Sequence, residues 1–129
     1  MPRSLPILVV DDTELCRLAT ALLLGQAGFS SHQSTNGSEA ISKFKSGSYG
    51  AVIMDFNMPD MTGAQCAEIM KRIERRTGRH VPIIGLTASY SPEVRKLCLA
   101  AGMDEVLDKT GPSIELIAVL ESVLTARTR

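Results

Sequence analysis

The chain has 129 residues, 44% of them hydrophobic, which is enough for one compact domain with a substantial core and too short for two ordinary ones. Fourteen Lys plus Arg offset fourteen Asp plus Glu, so the chain as a whole exerts no electrostatic pull toward nucleic acid or an anionic membrane. The three cysteines, Cys16, Cys66 and Cys98, are widely spaced and form no C-x-x-C pair, and no apolar run is long enough to cross a bilayer or act as a leader; a soluble domain in a reducing cytoplasm is expected, without disulfides or a zinc site.

Taken in chain order, the first apolar run, Leu8 to Val10, stops against two adjacent carboxylates, Asp11 and Asp12. Thr13 is placed to cap a helix running to about Ala27, with Gly28 as its stop. Phe29 to Ser34 is weaker and more polar, as an edge strand would be. Asn36 and Glu39 have capping-box spacing and open a second helix. Ala51 to Met54 is the next apolar run, followed at once by Asp55. Thr62 and Gln65 repeat the capping-box spacing, and Lys71, Arg72, Arg75, Arg76 and Arg79 read as the solvated face of that helix and the loop after it.

Val81 to Leu86 leads into Thr87. In "SPEV" Ser91 suits the N-cap, Pro92 the first helical position and Glu93 the positive end of the helix dipole, and the helix should end near Gly102. Val106 and Leu107 come shortly before Lys109. A last helix, from about Ser113 to Thr125, repeats apolar residues at Ile114, Ile117, Leu120 and Leu124.

Continuous apolar runs suit strands covered on both faces, and strict strand-helix alternation suits a parallel sheet with helices on both sides. The expected fold is α/β, as one domain over residues 1–129 with its core at about 5–126. In such a sheet ligands bind beyond the carboxyl ends of the strands. Asp11, Asp12, Asp55, Thr87 and Lys109 all follow strand ends, so three carboxylates, a hydroxyl and an ammonium should share one edge.

An aspartate after a strand is ordinarily a cap or turn residue. Clustering changes that reading, because two unit charges about 4 Å apart repel by roughly 4 kcal/mol at an effective dielectric near 20. A hard divalent cation resolves the conflict, and Mg²⁺ takes one or two carboxylates together with phosphate oxygens, with Asp12 as the more direct ligand of the doublet. A carboxylate can itself become an aspartyl phosphate, with Asp55 as nucleophile, Lys109 supplying positive charge and Thr87 a hydroxyl. The chain has no G-x-x-x-x-G-K-[ST] loop and no G-x-G-x-x-G after a strand, hence no visible nucleotide cradle.

Over nearly its whole length the sequence resembles the receiver domains of two-component response regulators. "VVDD", "MDFNMPDMTG", "GLTAS" and "AGMDEVLDK" fall in that family's order and spacing. The resemblance implies the flavodoxin-like receiver fold with strand order 2-1-3-4-5. It implies Asp55 as acceptor of a phosphoryl group from a phosphohistidine on a histidine kinase or phosphotransfer protein. Mg²⁺ would be organised by Asp11, Asp12, Asp55 and the backbone carbonyl of Asn57, with Asp11 acting through water. Lys109 would pair with one phosphoryl oxygen, and Thr87 with the Ala88 amide would hold the others. Met58, Pro59 and Gly63 match the loop that shapes the site, and Asn57 and Ser89 occupy positions that tune access of water or a phosphodonor. The chain would then be a signalling module that catalyses only its own phosphorylation and dephosphorylation. A downstream protein effector is possible, and contact with nucleic acid or membrane is not expected.

Two residues depart from the family pattern. Val106 stands three positions before the lysine where an aromatic is usual, and its small, stiff side chain cannot swing as a ring does; Tyr90 is a substitute or an ordinary loop tyrosine. Thr110 follows the lysine in place of proline, and since a cis bond before threonine would cost about 2.5 to 4 kcal/mol, that loop should be trans or rearranged around Gly111 and Pro112.

About one helix's length of chain follows Lys109, so no output domain is expected, and the chain is either stand-alone or a receiver cut from a hybrid histidine kinase, in which "LTA" segments are frequent. The first helix carries Leu15, Leu18, Ala19, Leu22 and Leu23, more apolar surface than one core stripe needs, so Leu15 and Leu18 are candidates for docking the histidine donor, with core packing the alternative. Two other functions compete. A haloacid-dehalogenase-type phosphatase would want an aspartate where Asn57 stands, and a phosphorylation-independent interaction module would not need the acidic and lysine set. His32 and His80 are read as surface residues, and Met58, Met61 and Met103 need no role beyond packing.

Overall fold

The computed structural model describes residues 5–127, so the outermost ends of the expected domain lie outside the described residues. Five strands alternate with five helices: β1 Ile7–Val10, α1 Glu14–Gln26, β2 Ser31–Ser34, α2 Gly37–Ser46, β3 Ala51–Asp55, α3 Gly63–Thr77, β4 Ile83–Thr87, α4 Pro92–Ala100, β5 Glu105–Asp108 and α5 Ser113–Arg127. All pairings are parallel and the strand order is β2-β1-β3-β4-β5.

The central strands are apolar without alternation because each face is covered by helices. Leu8, Val10, Val52, Met54 and Ile83 pack with Cys66, Ala67 and Met70 of α3, Ala40 and Phe44 of α2 and Cys98 of α4. Ile7, Val9, Ile53, Ile84 and Leu107 pack on the opposite face with Leu24 of α1 and Leu116 and Leu120 of α5. Among the described residues no helix is long and apolar enough to cross a membrane.

Local signals determine most boundaries, with some corrections. Thr62 and Gln65 form a complete capping box, and Ser91 accepts from the Val94 amide with Pro92 as the first helical residue. At α2 the Asn36 side chain accepts from the Glu39 amide, but the Glu39 carboxylate returns to the Thr35 amide instead of to Asn36. Thr13 occupies the N-cap position of α1 without a capping bond from its side chain; its own amide donates to Asp11 Oδ1 at 2.9 Å. Of the apolar residues expected to face the core from α5, Leu120 is fully buried and Ile117 and Leu124 pack against it, but Ile114 is 76% exposed, and Leu116 takes the first buried position instead. Lys71 leaves the solvated face assigned to it: its ammonium bonds the buried Glu74 and the Val81 carbonyl, each at 3.1 Å.

Candidate functional site

The reversal of strand order falls between β1 and β3, and in open α/β sheets ligands bind outside the carboxyl ends of the strands at such a switch point. Asp11 follows β1 and is 3% exposed, Asp55 ends β3 at 5%, and Asp12 stands beside them in solvent. One carboxylate oxygen from each of the three lies within 4.8 Å of the others. Thr87 ends β4 fully buried, and its carbonyl accepts from the Lys109 amide at 2.9 Å, which registers the end of β5 on β4. The Lys109 ammonium then reaches back to Asp11 at 2.8 Å and Asp55 at 3.4 Å. All five residues picked out at strand ends therefore share one edge.

Electrostatics at this edge are unbalanced, with three carboxylates facing one ammonium. Burial pushes the Asp55 carboxyl up to about 6, with the Asp11 charge acting in the same direction and Lys109 opposing it. Burial alone would lower Lys109, but its hydrogen bond to Asp11 and the charges of Asp55 and Asp11 leave it above its ordinary value. An all-oxygen donor set that is mutually repulsive and only partly neutralised fits a hard divalent cation such as Mg²⁺, which needs few protein ligands.

The surrounding loops are held by short-range bonds. Gly63 begins α3 where nothing larger fits: a Cβ there would lie 2.3 Å from the Asp55 carbonyl oxygen, and its amide donates to Phe56 O at 2.7 Å. Asn57 Nδ2 donates to Ser89 Oγ at 3.4 Å, joining the two expected access-tuning positions. The Thr87 hydroxyl accepts from the Ser89 amide at 3.0 Å, and Ala88 between them is exposed. No cis peptide bond occurs among the described residues. Instead, Asp108 Oδ1 accepts from the Thr110 amide at 2.9 Å and hydroxyl at 2.7 Å, turning the chain just past Lys109.

The family follows from the sequence that builds this edge. Residues 7–121 match the family described as the response regulator receiver domain. The chain belongs to that family. As a receiver domain it is 35% identical over 103 residues to the CAI-1 autoinducer sensor kinase/phosphatase CqsS of Vibrio cholerae, covering 80% of this chain and 15% of that protein. It is 36% identical over 103 residues to the sensor histidine kinase RcsC of Escherichia coli, covering 80% of this chain and 10% of that one. This chain thus spans only a small part of the length of either relative. The solved chemotaxis protein CheY4 of Vibrio cholerae superposes with a TM-score of 0.84 at 28% identity, covering 92% of this chain and 98% of that one.

Against the receiver pattern, Val106 is buried at 2% exposure beside Met103, while Tyr90 is 41% exposed near Arg95. His32 and His80 are exposed, as expected, although His32 Nδ1 lies 3.0 Å from the Tyr49 hydroxyl. All three cysteines are free thiols.

Two residues near the site escaped sequence reasoning. Arg17 on α1 donates to the Asp11 carbonyl at 2.9 Å and to Gln33 Oε1 at 3.0 Å, bracing the turn after β1 against β2. Asp60, in the loop after Asp55, bonds the start of α2. The Arg17–Gln33 and Asp60–α2 bonds join segments distant in sequence, and none of these contacts has a recognisable spacing signal. The receiver also has a groove of about 210 Å³ beside Lys109, lined by Cys16, Ala19 and Leu23 of α1 and Pro112 and Leu116 near the start of α5.

Proposed function

We propose that this receiver domain accepts a phosphoryl group on Asp55 from a phosphohistidine of a histidine kinase or phosphotransfer protein, with Mg²⁺ as cofactor, and so switches a protein-interaction surface in a two-component or phosphorelay pathway. The observation that carries the reading is the meeting of Asp11, Asp12 and Asp55 with Lys109 at the carboxyl edge of the sheet. Asp11, Asp12, Asp55 and the Asn57 carbonyl would hold the cation. When bound, Mg²⁺ neutralises phosphate oxygens and the carboxylates together.

The chain's own groups account for the rest. An Asp55 oxygen attacks phosphorus in line, the new P–O bond forms as the P–N bond to histidine breaks, and the imidazole, protonated by solvent at its other ring nitrogen, leaves neutral. For this, Asp55 must be ionised, and Lys109 is the neighbour that draws its titration downward. Lys109 then pairs with a phosphoryl oxygen, while the Thr87 hydroxyl and the Ala88 amide donate to the others. Arg17 and Gly63 keep Asp11 and Asp55 in register by fixing the backbone around them.

The donor would dock on α1. Leu15, Leu18 and Leu22 are 78%, 48% and 66% exposed, which leaves core packing to explain only the inward Leu23 and Leu24. These leucines lie on the helix that follows the acidic doublet, next to the groove at Lys109. A cytoplasmic location, a stand-alone or hybrid-kinase origin and a protein effector without nucleic-acid or membrane contact complete the proposal.

Intact-protein mass spectrometry after incubation with acetyl phosphate tests it. The expected result is one Mg²⁺-dependent phosphoryl adduct that disappears in Asp55→Ala. No adduct where another receiver is labelled, together with no Mg²⁺ binding by titration calorimetry, would overturn the phosphoacceptor reading in favour of a phosphorylation-independent module.

A further inference from the structure

The loop between β3 and α3 is fastened to a helix with which it shares no local sequence. Asp60 Oδ1 accepts from the Gly37 amide at 3.0 Å, and Oδ2 accepts from both the amide and the hydroxyl of Ser38 at 2.9 Å. Gly37 and Ser38 are the first residues of α2, and the next amide, Glu39, is taken by the Asn36 side chain at 2.8 Å. A helix start presents unpaired amides and positive dipole potential, so an anion is stabilised there. The backbone bonds from Gly37 and Ser38 hold the Asp60 carboxyl below its usual range, so it is charged at neutral pH. Gly37 is buried under Met61, and a Cβ at that position would lie 2.5 Å from Met61 Cγ.

The same loop is tied on its other flank by the Asn57–Ser89 bond and closed at its base by the Gly63 amide on Phe56 O. Residues 57–61 therefore span from the β4–α4 turn to the start of α2, held at each side by polar contacts. Asn57, whose carbonyl is a proposed cation ligand, makes the first of those ties with its side chain and stands three residues before Asp60, which makes the second.

We propose that Asp60 is a positioning residue: bonded across to Gly37 and Ser38, its carboxylate holds the 57–61 loop, and with it the Asn57 carbonyl, in place beside Asp11, Asp12 and Asp55. This rests on the reading of that cluster as a Mg²⁺-dependent phosphoacceptor site. A plain remote helix cap would make the same bonds but would not influence the cation site.

The deciding experiment compares the native chain with Asp60→Ala, Asp60→Asn and Asp55→Ala by Mg²⁺ titration calorimetry, amide hydrogen exchange with and without Mg²⁺, and acetyl phosphate labelling across Mg²⁺ concentrations. Asp60→Ala should bind Mg²⁺ about 10-fold more weakly, as outer partners of metal ligands do. Its 57–61 amides should exchange faster even without the ion, and labelling should recover at high Mg²⁺. Asp60→Asn, which keeps one acceptor oxygen, should fall between. Unchanged Mg²⁺ affinity with faster exchange confined to 37–39 would overturn the positioning role and leave a helix cap. Should Asp60→Ala fail to fold, Asp60→Asn and Ser38→Ala give the same comparison. A native chain that binds no Mg²⁺ overturns both this proposal and the phosphoacceptor reading, whereas binding lost in Asp55→Ala but unaffected at Asp60 overturns this one alone.

Discussion

Lys109 lies closer to Asp11, at 2.8 Å, than to Asp55, at 3.4 Å. The ammonium is thus held mainly by the carboxylate that is not the proposed acceptor, and Asp55 keeps most of its burial penalty. Its carboxyl stands at about 6 against an ordinary 3.8, chiefly through burial.

A raised acid stabilises the fold in its protonated form, so this contribution is complete below about pH 4 and is lost as pH rises through about 6. The shift corresponds to roughly 3 kcal/mol at most. In the absence of divalent ions, Asp55→Asn should therefore be more stable than the native chain at pH 7 and equal to it near pH 4. Urea denaturation in EDTA at the two pH values checks this, and saturating Mg²⁺ should narrow the gap at pH 7 because it binds only the native fold. Lys109→Met should move the Asp55 titration further up, readable by carboxyl NMR.

Two glycine substitutions should act with opposite sign. Gly63→Ala drives a methyl group to 2.3 Å from the Asp55 carbonyl oxygen and 3.0 Å from Phe56 Cα, both backbone atoms that cannot step aside. We expect a loss of about 3 kcal/mol and of acetyl phosphate labelling. Gly25 lies in α1 with nothing near a Cβ, so Gly25→Ala should raise stability by up to about 1 kcal/mol. Thermal unfolding of the pair separates the two effects.

Installing the family's usual aromatic should not be neutral. Val106 is 2% exposed and packs in the cluster that contains Met103, and a Cβ on the neighbouring Gly85 would already lie 2.7 Å from Met103 Sδ. Val106→Phe overfills that space and should cost about 2 kcal/mol by urea denaturation. Equal stability would mean that the region opens readily enough to house a ring.

Leu18→Glu separates donor docking from chemistry. Leu18 is 48% exposed, so the variant should fold with an unchanged circular dichroism spectrum. Labelling by acetyl phosphate should stay at the native rate, because the small donor does not need α1. Transfer from a phosphorylated histidine protein should slow at least several-fold, and an unchanged rate would remove Leu18 from the docking surface.

The sequence alone carried the five strand-helix units, because apolar runs and capping residues are local signals. It also brought Asp11, Asp12, Asp55, Thr87 and Lys109 to one edge, because parallel strands share a direction and place their ends together. What it could not hold were choices made between distant segments. Where the buried stripe of α5 begins depends on where the sheet lies, and so Leu116, not Ile114, joins Ile117, Leu120 and Leu124 against the core. Lys71 turned inward because Glu74 and the Val81 carbonyl form a buried partner for it. The exposure of Leu15, Leu18 and Leu22, and the bonds of Asp60 to α2 and of Arg17 to Gln33, likewise exist only once the chain has closed on itself. Periodicity reports what a segment can bury; the tertiary fold decides what it meets.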